Sequence, residues 1–197
     1  MIQPQTTPQT TPVLWMKFPD SSFWNYSCKL FQIREVADGC LHLQNQFNAD
    51  VNILLYCCWA GDNRIQLDNV DVQKLVKCSE PWQTAIIKPL RDARKMLKNQ
   101  IIAMPAHLHA QTITNLSEME INAEHMAQLN LEKIIDFENR KACDGTIIST
   151  SARNLLLYLQ TLPGIQLGEI SPQLTDLLKL IYDDAEQVQS AVMAAIT

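Results

Sequence analysis

The segment from Asp50 to Gly61 constrains the fold of this chain more than any other part of the sequence. Its apolar residues fall on nearly every side of a helical projection: Val51, Ile53, Leu54, Leu55, Tyr56, Cys57, Cys58 and Trp59. A helix that is apolar all round is buried among other elements. A buried β-strand is the competing interpretation, but the Leu and Cys content and the lack of other strand candidates favour a helix. The segment therefore predicts the central helix of an all-α fold.

Apolar residues at helical spacing predict the other elements of an irregular multi-helix bundle, with about seven to eight helices in total. The predicted helices comprise residues 23–31, 36–47, 50–61, 67–77, a fifth helix that opens at Ser79-Glu80-Pro81, 113–137, 151–162 and 171–195. Ser and an early Pro are typical of a helix start. Pro89 lacks a backbone donor and should kink the fifth helix.

We expect three parts along the chain. Residues 1–20 open with Gln, Thr and Pro, which have little apolar surface to bury and predict a disordered tail. Residues 21–140 form a helical core, and residues 141–197 form a helical extension packed on it. In the extension, apolar residues alternate steps of four and three and form a narrow seam: Leu174, Leu178, Ile181, Ala185, Val188, Val192 and Ala195. Its larger members, Leu174, Leu178, Ile181, Val188 and Val192, are the candidate partner-binding residues. The seam either packs against the protein's own bundle, which we favour, or binds a partner.

Charge and composition exclude several classes of function. The net charge is −5 and the 16 basic residues are mostly dispersed, whereas nucleic-acid binding requires clustered Lys and Arg. The 5 glycines form no phosphate-binding loop and no nucleophile elbow. The 6 cysteines include no C-x-x-C pair and predict reduced thiols in the cytoplasm. We expect no cofactor, no bound metal, no signal peptide and no membrane insertion.

Two charged stripes are the clearest candidates for a polar site. Arg91, Arg94 and Lys98 share one helical face, and Glu120, Glu124 and Gln128 share another. If the two helices are neighbours, these stripes form an ion-pair network. An anion site on the Arg side or a metal site on the Glu side is the alternative. His125 directly follows Glu124 and points about 100° away on a helix, so the Glu-x-x-His pattern of carboxylate-bridged metal sites is lacking.

Polar residues near the head of the central helix are a second candidate. Asp50 is expected to cap this helix, with Asn52 hydrogen-bonded in its first turn and Gln44 in the same buried network. A structural polar network of Gln44, Asp50, Glu120 and Glu124 follows from this interpretation. The alternative is a ligand or anion pocket lined by Asn52, Trp59, Trp82, Arg91 and Arg94. For the two Trp rings, packing in the core is the favoured interpretation.

Several blocks of sequence resemble a known family. They are Phe23-Trp24-x-Tyr26-Ser27, Cys40-Leu41-x-Leu43-Gln44, Asp50-Val51-Asn52-x-Leu54-Leu55, Trp82, Pro89-Leu90-Arg91-x-x-Arg94 and Glu118-Met119-x-x-x-Ala123-Glu124. Together they resemble an uncharacterised helical family of proteobacteria, a domain of unknown function, over roughly residues 22–135. The resemblance implies an intracellular helical protein without an established activity. Asn48 stands where the family pattern has Gly, and the stretch after Glu138 looks unlike the family.

The function we expect is non-enzymatic, because no catalytic set can be recovered from the sequence. A small acidic helical body suits an adaptor or chaperone-like subunit that binds a segment of a partner protein, and such proteins often serve bacterial secretion machines. The alternative is a small-ligand-binding or enzymatic domain that uses the pocket of Trp, Arg and Asn residues. A structural subunit of a larger complex is a third possibility.

Overall fold

The computed structural model describes residues 16–99 and 103–196, and these ranges are all-helical, as predicted. The helices are α1 (Ser22–Phe31), α2 (Arg34–Phe47), α3 (Val51–Asp62), α4 (Asn69–Trp82), α5 (Lys88–Lys98), α6 (Ala106–Glu132), α7 (Ile147–Leu159), α8 (Leu167–Ile181) and α9 (Ala185–Ile196). A π-helical turn, Gln83–Ile87, joins α4 to α5. Counted as continuous segments, the described residues form eight helices, within the predicted number. The predicted tail lies outside the described residues as far as residue 15.

Helix α3 forms the centre of the hydrophobic core. Ten of its twelve residues are buried, and the side chain of Asp50 caps its first turn, as the sequence predicts. Helix α7 packs along α3, and α9 packs on α7 and α8. The contact between α3 and α7 is close, because a Cβ atom added at Gly61 would lie 2.8 Å from the Cα atom of Ser151. The residues after 141 therefore share one core with the helices before them.

The predicted helix break at Ser79-Glu80-Pro81 is wrong. Helix α4 continues through all three residues to Trp82, and a π turn follows instead of a loop. Ser79 is buried inside α4 and donates its hydroxyl hydrogen to Asp50, so it does not cap a new helix. A kink was expected between Ile87 and Leu90, whereas the irregularity is the π turn that ends two residues before Pro89, and Pro89 lies in the first turn of α5. A π turn locally rearranges the backbone hydrogen bonds without ending a helix.

The single final helix expected over residues 171–195 is divided in two. Helix α8 ends at Ile181, Tyr182 has an extended backbone, and the Asp184 carboxylate accepts from the backbone N–H of Gln187 at the start of α9. This Asp cap is the local reason for the break. Four residues of the predicted seam are buried in the protein's own core: Leu174, Leu178, Val188 and Val192. A fifth, Ile181, is half-buried. The seam therefore packs intramolecularly, the arrangement favoured from the sequence, and these four offer no exposed partner surface.

Helix α1 packs against helix α6. Helix α6 ends at Glu132 and not at Phe137, and Glu132 Oε1 accepts from the backbone N–H groups of Ser22 and Phe23 at 2.9 and 3.2 Å. A carboxylate at this position offsets the unpaired N–H groups of a helix N-terminus. The His125 ring lies between Phe18 and Trp24, with ring centroids 4.1 and 4.0 Å away. These contacts fix α1 against α6.

Asn48 ends α2 in a left-handed conformation, with φ 55° and ψ 31°. Asn tolerates this conformation better than most residues and Gly adopts it freely. Asn48 is therefore well suited to end α2. In the parts of the chain that the structure describes, no helix is both long and apolar enough to cross a membrane.

Candidate functional site

The Arg and Glu stripes face each other across α5 and α6. Arg91 Nε and Arg94 Nε donate to the two carboxylate oxygens of Glu120 at 2.8 and 2.7 Å. Arg91 Nη2 donates to Glu124 Oε1 at 2.7 Å. All four side chains are at least two-thirds buried. Partly buried ion pairs with short, directed hydrogen bonds are stronger than exposed pairs.

The two glutamates of this network differ in their protonation behaviour. Burial acts to raise the pKa of Glu120, but hydrogen bonds from Arg94 and Arg91 outweigh it and lower that pKa. Burial raises the pKa of Glu124, and the charge of Arg91 only partly opposes it. Burial and the charges of Glu120 and Asp50 raise the pKa of Glu124, which receives one guanidinium group, whereas Glu120 receives two.

Asp50 is the centre of a second polar cluster. Its Oδ1 accepts from the backbone N–H of Asn52 at 2.9 Å and from Gln83 Nε2 at 3.0 Å, and its Oδ2 accepts from Ser79 Oγ. The backbone N–H of Asp50 donates to the Tyr158 hydroxyl at 2.7 Å. Burial raises the pKa of Asp50 despite these donors. The cluster joins α3, α4, the π turn and α7.

An open cleft of about 620 Å³ lies over the Asp50 cluster. Its walls are the C-terminal end of α2, the face of α4 and α5, and the chain that follows α7. It is lined by side-chain amides, by hydroxyl groups and by charges of both signs: Gln44, Asn45, Asn48, Asp50, Glu80, Gln83, Thr84, Lys88, Arg91, Asp92, Lys95, Tyr158 and Thr161. Apolar contacts come from Ala49, Ile53, Val76, Leu162 and Pro163. The arrangement suits a polar, surface-accessible binding partner.

A smaller cavity of about 150 Å³ lies between α1, α3 and α6. Its apolar walls are formed by Trp24, Cys28, Phe31, Val51, Leu55 and Ile121. Its polar lining consists of Ser27, Asn52, Glu124 and Gln128. Gln128 Nε2 donates to Asn52 Oδ1 at 2.7 Å, so these two amides hold each other in place.

The five residues predicted to line a single pocket do not meet in one place. Arg91 lines the cleft and Asn52 lines the small cavity. Trp59 packs against Phe23, Tyr56 and Phe137, and Trp82 packs beside Ile87, Ala123 and Ala127. Arg94 is held by Glu120. Among the described residues these five side chains therefore do not line one shared pocket, because both Trp rings pack against neighbouring side chains.

The predicted polar network is divided between two clusters. Glu120 and Glu124 pair with the arginines, Asp50 caps α3, and Gln44 lines the cleft beside it. Sequence reasoning missed Ser27, Ser79 and Gln83. Ser79 and Gln83 lie four residues apart in a segment read as a helix start, and a continuous helix there would have placed both on one face.

Metal chemistry receives no support from the geometry. Within residues 16–99 and 103–196, no group of three or more His, Cys, Asp or Glu side chains could hold a metal ion. His125, which neighbours Glu124 in sequence, is stacked between two aromatic rings, and its Nε2 atom is buried without a hydrogen-bond partner.

The sequence that builds these sites matches one protein family. No curated protein and no solved structure matches the chain. A family model described as a protein of unknown function, DUF2390, matches residues 22–131, which is more than half of the chain. The match begins at the first residue of α1 and ends one residue before the end of α6, and it includes Asp50, both arginines and both glutamates. This agrees with the resemblance seen in the sequence blocks. The chain belongs to the DUF2390 family of proteins of unknown function.

Proposed function

We propose that this protein is a non-enzymatic interaction module of the cytoplasm, an adaptor-like subunit whose cleft binds an extended polar segment of a partner protein. One observation supports the proposal above the others. The cleft is open, has a volume of about 620 Å³, and is lined by amides and by charges of both signs. Such a lining suits a peptide better than an apolar metabolite.

The amide groups on one wall are suited to a peptide backbone. Gln44, Asn45 and Asn48 line the cleft at the C-terminal end of α2. Each side-chain amide offers both donors and an acceptor, which is the combination that a main-chain peptide group requires. An extended segment lying along α2 could therefore bond through its backbone, with little dependence on its sequence.

The opposite wall supplies charge selectivity. Lys88 and Lys95 are exposed and are separated by seven residues of α5, a rise of about 10 Å. An extended segment advances about 3.3 Å per residue and points every second side chain to the same face, so acidic residues two or four positions apart, about 7 or 13 Å, would reach the two long lysine side chains. Glu80 and Asp92 also line the cleft and would repel a segment carrying negative charge alone. The expected segment therefore contains both acidic and basic residues.

Co-purification from native cells tests this proposal. The cleft variant carries Lys88→Glu and Lys95→Glu, and the matched control carries Lys133→Glu and Lys179→Glu, which are exposed lysines outside the cleft. We expect a stoichiometric partner that is retained by the wild type and the control and is lost from the cleft variant. Equal retention by the two variants, or a wild-type chain that elutes alone, contradicts the proposal.

A further inference from the structure

Two residues that line the small cavity each carry a buried polar atom without a hydrogen-bond partner. The two atoms are Ser27 Oγ and Gln128 Oε1, and their residues are only 3% and 2% exposed. Nearly all buried polar atoms in proteins are hydrogen-bonded, because an unpaired one loses its water without compensation. Both residues line the same cavity. This coincidence indicates that the cavity is built to receive a polar group.

The orientation of Gln128 defines which polar group fits. Its Nε2 atom donates to Asn52 Oδ1, so the free side of the amide is the acceptor oxygen. The Ser27 hydroxyl can donate and accept. A group that donates one hydrogen bond to Gln128 and accepts one from Ser27 satisfies both residues, and a hydroxyl group has this property.

Charge favours a neutral ligand. Glu124 also lines the cavity, but its carboxylate already accepts from the Arg91 guanidinium. An ammonium group entering the cavity would lose its water and meet a carboxylate whose charge is already offset. A neutral hydroxyl group does not incur this penalty.

The walls and the volume define the rest of the ligand. Aromatic and aliphatic side chains from α1, α3 and α6 surround the polar end, among them Trp24, Phe31 and Leu55. A cavity of about 150 Å³ can hold a molecule of the size of benzene. Ile121, which is 56% exposed, lines the cavity at the protein surface. Entry from solvent is therefore open.

We propose that this cavity binds a small neutral molecule with an apolar, ring-sized body and one hydroxyl group, which donates to Gln128 Oε1 and accepts from Ser27 Oγ. The site is separate from the cleft proposed for a partner protein. Binding here does not depend on the partner proposal, so the two can fail independently.

Three probes of matched size test the chemistry in the full chain: benzyl alcohol, toluene and benzylammonium. The readouts are NMR shifts of the Ser27 backbone amide and the Gln128 side-chain amide during titration. We expect benzyl alcohol to shift both signals and to bind at least about tenfold more tightly than toluene or benzylammonium, because buried polar groups reject a ligand that leaves them unpaired. Equal binding of toluene, or no shift at either residue, overturns the proposal.

The reactivity of Cys28 gives a second readout in the unmodified protein. Cys28 lines the cavity and is partly exposed, whereas Cys78 has similar exposure and lies outside it. Residue-resolved alkylation should slow at Cys28 in the presence of benzyl alcohol and remain unchanged at Cys78. Equal rates at Cys28 with and without the probe contradict occupancy.

A matched pair of serine variants locates the hydroxyl contact. Ser27→Ala should weaken benzyl alcohol binding about threefold to tenfold, because one hydrogen bond is lost. Ser190→Ala, an exposed position on α9, should leave it unchanged. If Ser27→Ala binds as tightly as the wild type, or if a crystal structure with the probe shows a retained water bonded to Ser27 and Gln128, the proposed contact is wrong.

Discussion

Arg91 Nη2 donates to Glu124 Oε1 at 2.7 Å, and this ion pair connects the two concave sites of the molecule. Arg91 lines the polar cleft, and Glu124 lines the small cavity on the other side of the pair. Arg91 also donates to Glu120 and thereby fixes α5 against α6. The walls of both sites therefore depend on one side chain.

Replacing Arg91 should destabilise the protein. Arg91→Met leaves Glu124, whose side chain is only 30% exposed, without its cation. It also removes one of the two guanidinium groups that donate to Glu120. We expect a loss of about 2 to 4 kcal/mol, less than for a fully buried pair because solvent screens part of the charge. Urea denaturation at neutral pH measures it.

The matched control is Arg34→Met. Arg34 pairs with Asp38 at 3.7 Å on an exposed face, so its loss should change the free energy of unfolding by under about 0.5 kcal/mol. Similar small losses in both variants would show that the Arg91 network adds little stability.

Asp50 should make stability depend on pH. Burial raises its pKa in the folded state, so above the unfolded pKa of about 4 the folded protein holds more protons than the unfolded chain. The stabilisation from Asp50 is therefore fully present at low pH and is lost as the pH rises through the folded pKa. Asn reproduces the protonated carboxyl group and can still cap α3.

The quantity to compare is the free energy of unfolding of Asp50→Asn minus that of the wild type. The free energy of unfolding of the variant relative to the wild type should increase from pH 4 towards pH 7 in urea titrations. The charge of Arg91 is present in both proteins and does not alter the sign. A difference that falls with rising pH contradicts the assigned direction.

Replacing either of two buried serines by Ala should change the free energy of unfolding, with opposite signs for Ser27 and Ser79. Ser27→Ala removes a hydroxyl without a partner, and we expect a gain of about 1 kcal/mol in the free energy of unfolding of the ligand-free protein. Ser79→Ala removes a donor to Asp50, and we expect a loss of about 1 to 3 kcal/mol. Thermal and urea unfolding of both variants check the prediction. Destabilisation by Ser27→Ala would show that its hydroxyl is satisfied.

The close packing of α3, which lies in the family-matched region, against α7, which follows it, requires a glycine at position 61. A Cβ atom at Gly61 would lie 1.9 Å from Ser151 Oγ and 2.8 Å from its Cα atom, and a backbone atom cannot move aside by rotamer change. Gly61→Ala should therefore cost about 2 to 3 kcal/mol.

Gly168→Ala is the control, because nothing lies within 4 Å of its added Cβ atom. It should leave stability unchanged or raise it by up to about 1 kcal/mol. Calorimetry of both variants measures the contrast. Equal melting temperatures would contradict the close contact between α3 and α7.

The sequence patterns predicted the helices more completely than they predicted the residues of the two candidate sites. The all-round apolar segment after Asp50 predicted α3, and the spacing of Arg91 and Arg94 predicted the face that meets the glutamates. The prediction of a helix start at Pro81 is wrong, since α4 continues through it, and the cap that Asp184 provides at the start of α9 was not recognised. The first outcome depends on tertiary packing, since Ser79 is bonded to Asp50, whereas the second is a local cap.

The small cavity could not be predicted, because its polar lining comes from separate helices. Ser27 lies on α1 and Gln128 on α6, and each is an ordinary residue in its own helix. Only their shared burial without a partner distinguishes them.

The most direct test of the proposed function is site-specific photo-crosslinking in native cells. A photoreactive residue replaces Asn45 on the cleft wall, and a second chain carries it at Lys179, outside the cleft. We predict that position 45 crosslinks to one polar segment of one partner, identified by mass spectrometry, and that position 179 does not. Crosslinks from position 179 alone, or none from position 45, would contradict the assignment of the cleft as the partner site.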